Sequence, residues 1–193
     1  ETFTSYYHIS GDKTSPVGNA VRGMDFDNSG ILWVGTANSG VYSFNPKTEK
    51  AIQYQAGGTG TLSSNNILAL LADNNNNIWI GTDGSGICQF NREKQSFVTP
   101  FSSGYSIGNV IHTFYQDINN NLWIGTNEGL LLSENPKIEK GKIHVQDIAL
   151  GNEALAVNAI FQAEGNNIWA GTRGSGLYKV LGDNGFSNPD IDH

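Results

Sequence analysis

Asp25 and Asp27, followed by Asn28, Ser29 and Gly30, are spaced like the opening of a calcium loop, where alternating oxygen ligands enclose a hard cation. The distal glutamate that would complete such a loop is missing. The matching stretches Asp73-Asn74-Asn75-Asn76 and Asp117-Ile118-Asn119-Asn120 carry no second carboxylate. A turn in which the Asp side chain caps the local backbone accounts for all three. Cys88 is the only cysteine, so an internal disulfide is excluded. It aligns with Tyr42, Leu131 and Tyr178 in neighbouring repeats, which marks a core position rather than a nucleophile. His8, His144 and His193 have no second ligand at metal spacing. No spacing nominates the two carboxylates that glycoside hydrolysis places across a cleft. The expectation is therefore no catalytic residue, no metal and no cofactor.

These residues sit inside a repeat. The stretch NNNNIWIGTDGSGI (Asn74–Ile87) recurs as SGILWVGTANSGV (Ser29–Val41), NNLWIGTNEGL (Asn120–Leu130) and NNIWAGTRGSGL (Asn166–Leu177). Trp33, Trp79, Trp123 and Trp169, the whole tryptophan complement, are separated by 46, 44 and 46 residues. A period of that size is the mark of a repeat architecture. The net charge of −7 opposes nucleic-acid binding, which needs a basic face. No apolar run approaches the roughly 18–20 residues that cross a bilayer, so this segment is expected to make no membrane contact. Glu1 opens no signal-peptide pattern, so a mature or trimmed chain is expected.

Each unit reads as four short strands, A to D, bounded by Gly, Asn, Asp and Pro turns. In the first unit these are Ala20–Phe26, Ile31–Thr36, Val41–Phe44 and Ala51–Gln55. The second has Ile67–Ala72, Ile78–Thr82, Ile87–Phe90 and Ser96–Phe101. The third has Val110–Gln116, Leu122–Thr126, Leu130–Ser133 and Ile143–Ile148. In the fourth, Val157–Gln162, Ile168–Thr172 and Leu177–Leu181 are clear, and the pattern then thins. No segment reads as a helix. The fold class is all-β: a β-propeller of four-stranded blades, four of them present.

The repeat cores are residues 19–55, 65–101, 109–148 and 157–193, preceded by a D-type strand at residues 1–9. That strand could close a four-bladed ring by pairing with Leu177–Leu181. Alternatively, residues 185–193 begin a D strand of their own, and the chain is a segment of a larger propeller.

The B strand is apolar on both faces, as expected of a sheet held between two others. Gly81 follows Trp79 by two and shares its face, leaving room for a neighbour's close approach. Strand A carries small residues at matching places, Gly23, Ala69, Thr113 and Ala159, which suits crowding near an axis. Asp27, Asp73 and Asp117 each stand six residues before their tryptophan; the fourth unit has Ala163 there.

Polar variety on this constant frame is where a ligand site is expected. The B–C turns carry Asn38, Asp83, Asn127, Glu128 and Arg173. One A-strand position reads Arg22, Leu68, His112 and Asn158, while its neighbour stays apolar. The polar members of both sets form the candidate ligand-binding face.

The pattern from Asn65 to Ile87, with its Asn-Ile-Trp-Ile-Gly-Thr core, resembles the two-component regulator propeller repeat, and four copies cover nearly the whole chain. The fourth departs at Ala163 and Ala170. The resemblance implies the extracytoplasmic, periplasmic sensor half of a hybrid two-component system, in which a histidine kinase lies elsewhere in the parent. It also implies about seven blades, so a segment is expected rather than a closed four-bladed ring. The A–B turns further resemble the Asp-box of sialidase-type propellers, a structural corner that implies no glycosidase chemistry. The expected role is non-catalytic sensing of an oligosaccharide or related small molecule. The expected partners are that ligand, further blades of the parent, or a second copy through exposed edges. A propeller-type lyase or hydrolase, or a protein-interaction scaffold, are the alternatives.

Overall fold

The computed structural model describes residues 3–6, 20–100, 109–139, 141–150, 154–181 and 185–187. They form four antiparallel four-stranded sheets, each meandering from an inner to an outer strand. Blade 1 is β1 (Val21–Phe26), β2 (Leu32–Thr36), β3 (Val41–Asn45) and β4 (Lys50–Tyr54). Blade 2 is β5 (Ile67–Ala72), β6 (Ile78–Thr82), β7 (Ile87–Asn91) and β8 (Ser96–Val98). Blade 3 is β9 (Ile111–Gln116), β10 (Leu122–Thr126), β11 (Leu130–Ser133) and β12 (Gln146–Ile148). Blade 4 is β13 (Val157–Gln162), β14 (Ile168–Thr172), β15 (Leu177–Leu181) and β16 (Gly185–Ser187). The one helical turn described is a 3₁₀ turn at Glu164–Asn166. The arc is open.

Two outer strands are shorter than their sequence suggests: Ser96–Val98, not to Phe101, and Gln146–Ile148, not from Ile143. Residues 101–108 lie outside the described residues, as do His8, His193 and most of residues 1–9. Phe3–Tyr6 belong to no strand; Tyr6 instead lies against Phe44 and donates its hydroxyl proton to Glu49 Oε1. The outer edge of β15 is taken by β16, so the ring-closing pairing of that edge is not made.

The strand period of two sends alternate residues to opposite seams. Trp33 and Val41 meet Ile67, Ile78, Ile80, Cys88 and Phe90 between blades 1 and 2. Trp79 and Ile87 meet Ile111, Leu122, Ile124 and Leu131 between blades 2 and 3. Trp123 and Leu130 meet Val157, Ile168, Ala170 and Val180 between blades 3 and 4. The glycine after each tryptophan lets the next blade in. A Cβ on Gly35 would lie 2.6 Å from Ile67 Cγ2, and one on Gly81 2.7 Å from Ile111 Cγ2. On Gly125 it would lie 2.6 Å from the Val157 carbonyl oxygen. Gly171 has only Ala159 of its own blade nearby, because no blade follows on that side of the arc.

The remaining motif residues hold turns. Trp33, Trp79 and Trp123 each donate the indole N–H to Asp27, Asp73 and Asp117 at 2.8–2.9 Å. The second carboxylate oxygen accepts turn backbone N–H groups, including Ile31, Asn77 and Asn121. Asp is thus a turn cap and a tryptophan anchor together. Thr36, Thr82, Thr126 and Thr172 close the B–C turns by donating their hydroxyls to the carbonyls of Gly40, Gly86, Gly129 and Gly176.

Candidate functional site

The A strands enter from the rim that carries the B–C turns, so the variable A-strand positions and those turns share one end of the molecule. Each A strand carries a bulge where it enters. Val21 pairs with Thr36 and Gly23 with Gly35, so Arg22 has no partner. The same two-against-one count isolates Leu68, His112 and Asn158. A bulge re-aims a side chain without breaking the sheet. The position that varies from blade to blade is therefore also the one that the pleat does not constrain.

A backbone tie fixes the first residue of each B–C turn beside the strand entry. Ala37, Asp83, Asn127 and Arg173 donate their N–H groups to the carbonyls of Ala20, Asn66, Val110 and Ala156. Their side chains stand exposed on the same rim, apart from that of Ala37, which is buried. Asp83 Oδ2 also accepts from Asn66 Nδ2 at 2.9 Å. Asn66 is absent from the sequence-based set. Its signal was present, since the matching residues are Ala20, Val110 and Ala156.

Three of the expected residues come together. His112, half-buried, is held below its ordinary pKa, first by burial and then by the positive field of Arg173. The negative field of Asp83 opposes this only in part. Charges from blades 2 and 4 are therefore both felt at His112 of blade 3. Among the described residues no salt bridge joins Asp83 to Arg173, and both residues are exposed. Chemically, the trio offers an acceptor, a cationic donor and a neutral ring that can do either.

The other members are less converged. Asn127 turns its carbonyl oxygen back to accept from Val110 N–H at 3.2 Å, so it is partly a turn cap. Glu128 is exposed, with its N–H donated to Thr126 Oγ1. Arg22 and Asn38 are exposed on blade 1, and Asn158 is exposed on blade 4. No group of three or more His, Cys, Asp and Glu that could hold a metal occurs among the described residues. Asp25 and Asp27 face N–H donors instead: Phe26 and Ala72 for Asp25, Trp33, Ile31 and Ser29 for Asp27. Cys88 is fully buried beside Ser63 Oγ at 3.0 Å, as a core residue. His144 is exposed but precedes its outer strand rather than lying in it.

The opposite rim, formed by the A–B and C–D turns, holds two clefts between blades. One of about 340 Å³ lies between blades 1 and 2 and includes Trp33, Tyr54, Phe90 and Arg92. The other, about 650 Å³, lies between blades 2 and 3. Sequence comparison of single positions missed both, because each is made by two consecutive repeats at once.

The family model of the two-component regulator propeller matches residues 61–84 and 105–128. No curated protein matches the chain. Among solved structures, the extracellular domain of the hybrid two-component system BT3049 of B. thetaiotaomicron is 21% identical, with a TM-score of 0.78. The match covers 96% of this chain and 24% of that one. The corresponding domain of BT4673 from the same organism is 24% identical over 89% of this chain and 24% of that one, with a TM-score of 0.70. The chain thus spans about a quarter of the length of these structures. An inactive virginiamycin B lyase from Staphylococcus aureus, solved with quinupristin, shares the fold at 13% identity and a TM-score of 0.66. That match covers 95% of this chain and 58% of the lyase. Two stretches of this chain thus match the two-component regulator propeller repeat, and the chain folds as four blades of an open β-propeller.

Proposed function

We propose that the chain is the ligand-sensing part of a periplasmic two-component sensor, non-catalytic in itself, and that it detects an oligosaccharide or related small molecule on the B–C rim. The observation that carries this reading is the row of bulged inner strands tied to exposed B–C turn residues that differ in charge, with the fields of Asp83 and Arg173 both felt at His112. A face whose scaffold is constant and whose side chains differ in charge suits a hydroxylated ligand, which needs donors and acceptors in a set order. Ligand binding would act by favouring one of two arrangements of the parent sensor. A histidine kinase elsewhere in the parent would read that change.

The exposed apolar residues at the ends of the arc belong to the same reading. Met24 and Phe26 face away from blade 2, and Leu177 faces away from blade 3. Further blades of the parent, or a second copy, would cover them. The acidic balance of the chain argues against nucleic acid as a partner.

Calorimetry with a panel of neutral and acidic oligosaccharides tests the proposal. Binding without turnover, lost in Asp83→Ala, His112→Ala or Arg173→Ala, is the expected result. Turnover of any panel member would favour the second reading, a propeller lyase or hydrolase, which has the fold shared with virginiamycin B lyase on its side. Capture of a protein partner with no glycan bound would favour a scaffold.

A further inference from the structure

The cleft between blades 2 and 3 lies on the rim opposite His112, and its walls have one consistent chemistry. Asn77, Gln89 and Asn91 come from blade 2 and Asn135 from blade 3; Lys94 and Lys137 stand one on each side. No carboxylate lines it, in a chain with 18 acidic residues against 11 basic ones. Its volume of about 650 Å³ falls in the range of about 300–1,000 Å³ that small-molecule sites occupy.

The amides are partly committed, in a way that leaves both polarities facing the cleft. Asn77 donates its Nδ2 to Asp73, so its carbonyl oxygen is the part left to accept. Asn91 uses its carbonyl oxygen to cap Lys94 N–H at 2.8 Å, so its NH₂ is the part left to donate. Gln89 has no side-chain hydrogen bond to any described residue. Val98 and Ile138 add apolar surface to the same walls. Donors and acceptors side by side, apolar contact and two cations specify the guest. It must carry several hydroxyls, a carbon skeleton and negative charge.

The preceding seam holds a smaller cleft and a different polar tie. There Arg92 of blade 2 reaches across to Asp27 Oδ2 at 2.8 Å and also holds the Asn76 carbonyl, and the cleft beside it is about 340 Å³. Between blades 2 and 3 the equivalent carboxylate, Asp73, is bound by Asn77 of its own blade, and no cation crosses to it among the described residues. The space is left to a ligand.

We infer that the blade 2–blade 3 cleft is a binding site for an acidic saccharide, with amides on the ring hydroxyls and Lys94 and Lys137 on the carboxylate or sulfate groups. This site is separate from the B–C rim and stands independently of the reading given to that rim.

Titration of the full chain with digalacturonate, lactose and sodium sulfate tests it. Digalacturonate should bind at least about tenfold more tightly than lactose, a difference of about 1.4 kcal/mol. The double variant Lys94→Gln/Lys137→Gln, at exposed positions that the fold does not use, should lose at least about tenfold for digalacturonate. Lys47→Gln, the same charge change on blade 1, should stay within about twofold. Gln89→Leu should weaken digalacturonate and leave sulfate unaffected. Asp83→Ala and Arg173→Ala should leave this binding intact, which separates it from the B–C rim. Three results would overturn the assignment: no digalacturonate binding, equal binding of lactose, or a double variant that binds like the parent chain. Sulfate binding as tightly as digalacturonate would reduce the cleft to a bare anion site and overturn saccharide recognition.

Discussion

The seams on either side of blade 2 solve one packing problem in two ways. Between blades 1 and 2, Asp27 accepts from Trp33 of its own blade and from Arg92 of the next. Arg92 also lies 6.0 Å over the Trp33 ring, and Tyr54, Phe90 and Phe97 complete an aromatic cluster. Between blades 2 and 3, Asp73 accepts from Trp79 and Asn77, both of blade 2. The tie across the first seam is ionic and joins the two blades beside a cleft of about 340 Å³. In the second seam the polar groups are satisfied within one blade, and the cleft stays open. The repeat needs a partner for its buried carboxylate, and either source will do. Which one is used decides whether a cation ties two blades together.

The largest effect should come from the buried carboxylate itself. Asp27→Ala orphans the Trp33 indole, two turn N–H groups and the Arg92 guanidinium, at a cost of about 3 kcal/mol in urea unfolding. Asp73→Ala should cost about 2 kcal/mol, because no cation is orphaned. Equal losses would mean that the Arg92 tie contributes nothing.

Next comes the approach of the following blade. Gly81→Ala places a Cβ 2.7 Å from Ile111 Cγ2 and should cost about 1–3 kcal/mol. Gly171→Ala, with ordinary contact to Ala159 and no following blade, should be neutral or stabilise by up to about 1 kcal/mol. Thermal melts of the pair would show whether the seam, rather than the strand, requires glycine.

Arg92→Gln should cost about 1 kcal/mol, given that its side chain is partly exposed, and it should also change the acid limb. Burial alone would raise the Asp27 carboxyl, but the bonds from Trp33, Arg92, Ile31 and Ser29 outweigh it and hold the group below its usual value. A carboxyl depressed in the folded state contributes stability above the unfolded value, near pH 4, and loses it as pH falls through the folded value. Removing Arg92 should bring that loss to higher pH, and Asp27→Asn should abolish it. An unchanged acid midpoint in both variants would count against the tie.

The smallest effect lies on the other rim. The folded-state pKa of His112 is lowered, so the unfolded chain binds the proton more readily and stability declines as pH drops below about 6.5. His112→Gln should flatten that slope slightly, with little other change in stability. A steeper slope would show that His112 gains a partner when it is protonated.

Much of the fold was legible in the residues themselves. Trp-x-Gly-Thr and the upstream Asp repeat because every blade meets the same neighbour geometry, and alternation alone separates the two faces of each strand. The B–C rim was legible in part. Arg22, His112 and Asn158 stood out by varying at a constant place, and the structure adds that the place is a bulge. Asn66 escaped, because its role depends on Asp83 lying across the turn.

The sequence by itself determined what each blade is: its strands, its turn caps, its buried tryptophan and the glycine that admits a neighbour. These are local and periodic, so one period carries them. Only the tertiary structure decided what lies between blades. Arg92 meets Asp27 across 65 residues, and His112 feels charges from the blades on both sides. The amide-lined cleft is built from two consecutive repeats at once. Such features depend on side-chain reach across a seam, and no spacing within a single repeat encodes that reach.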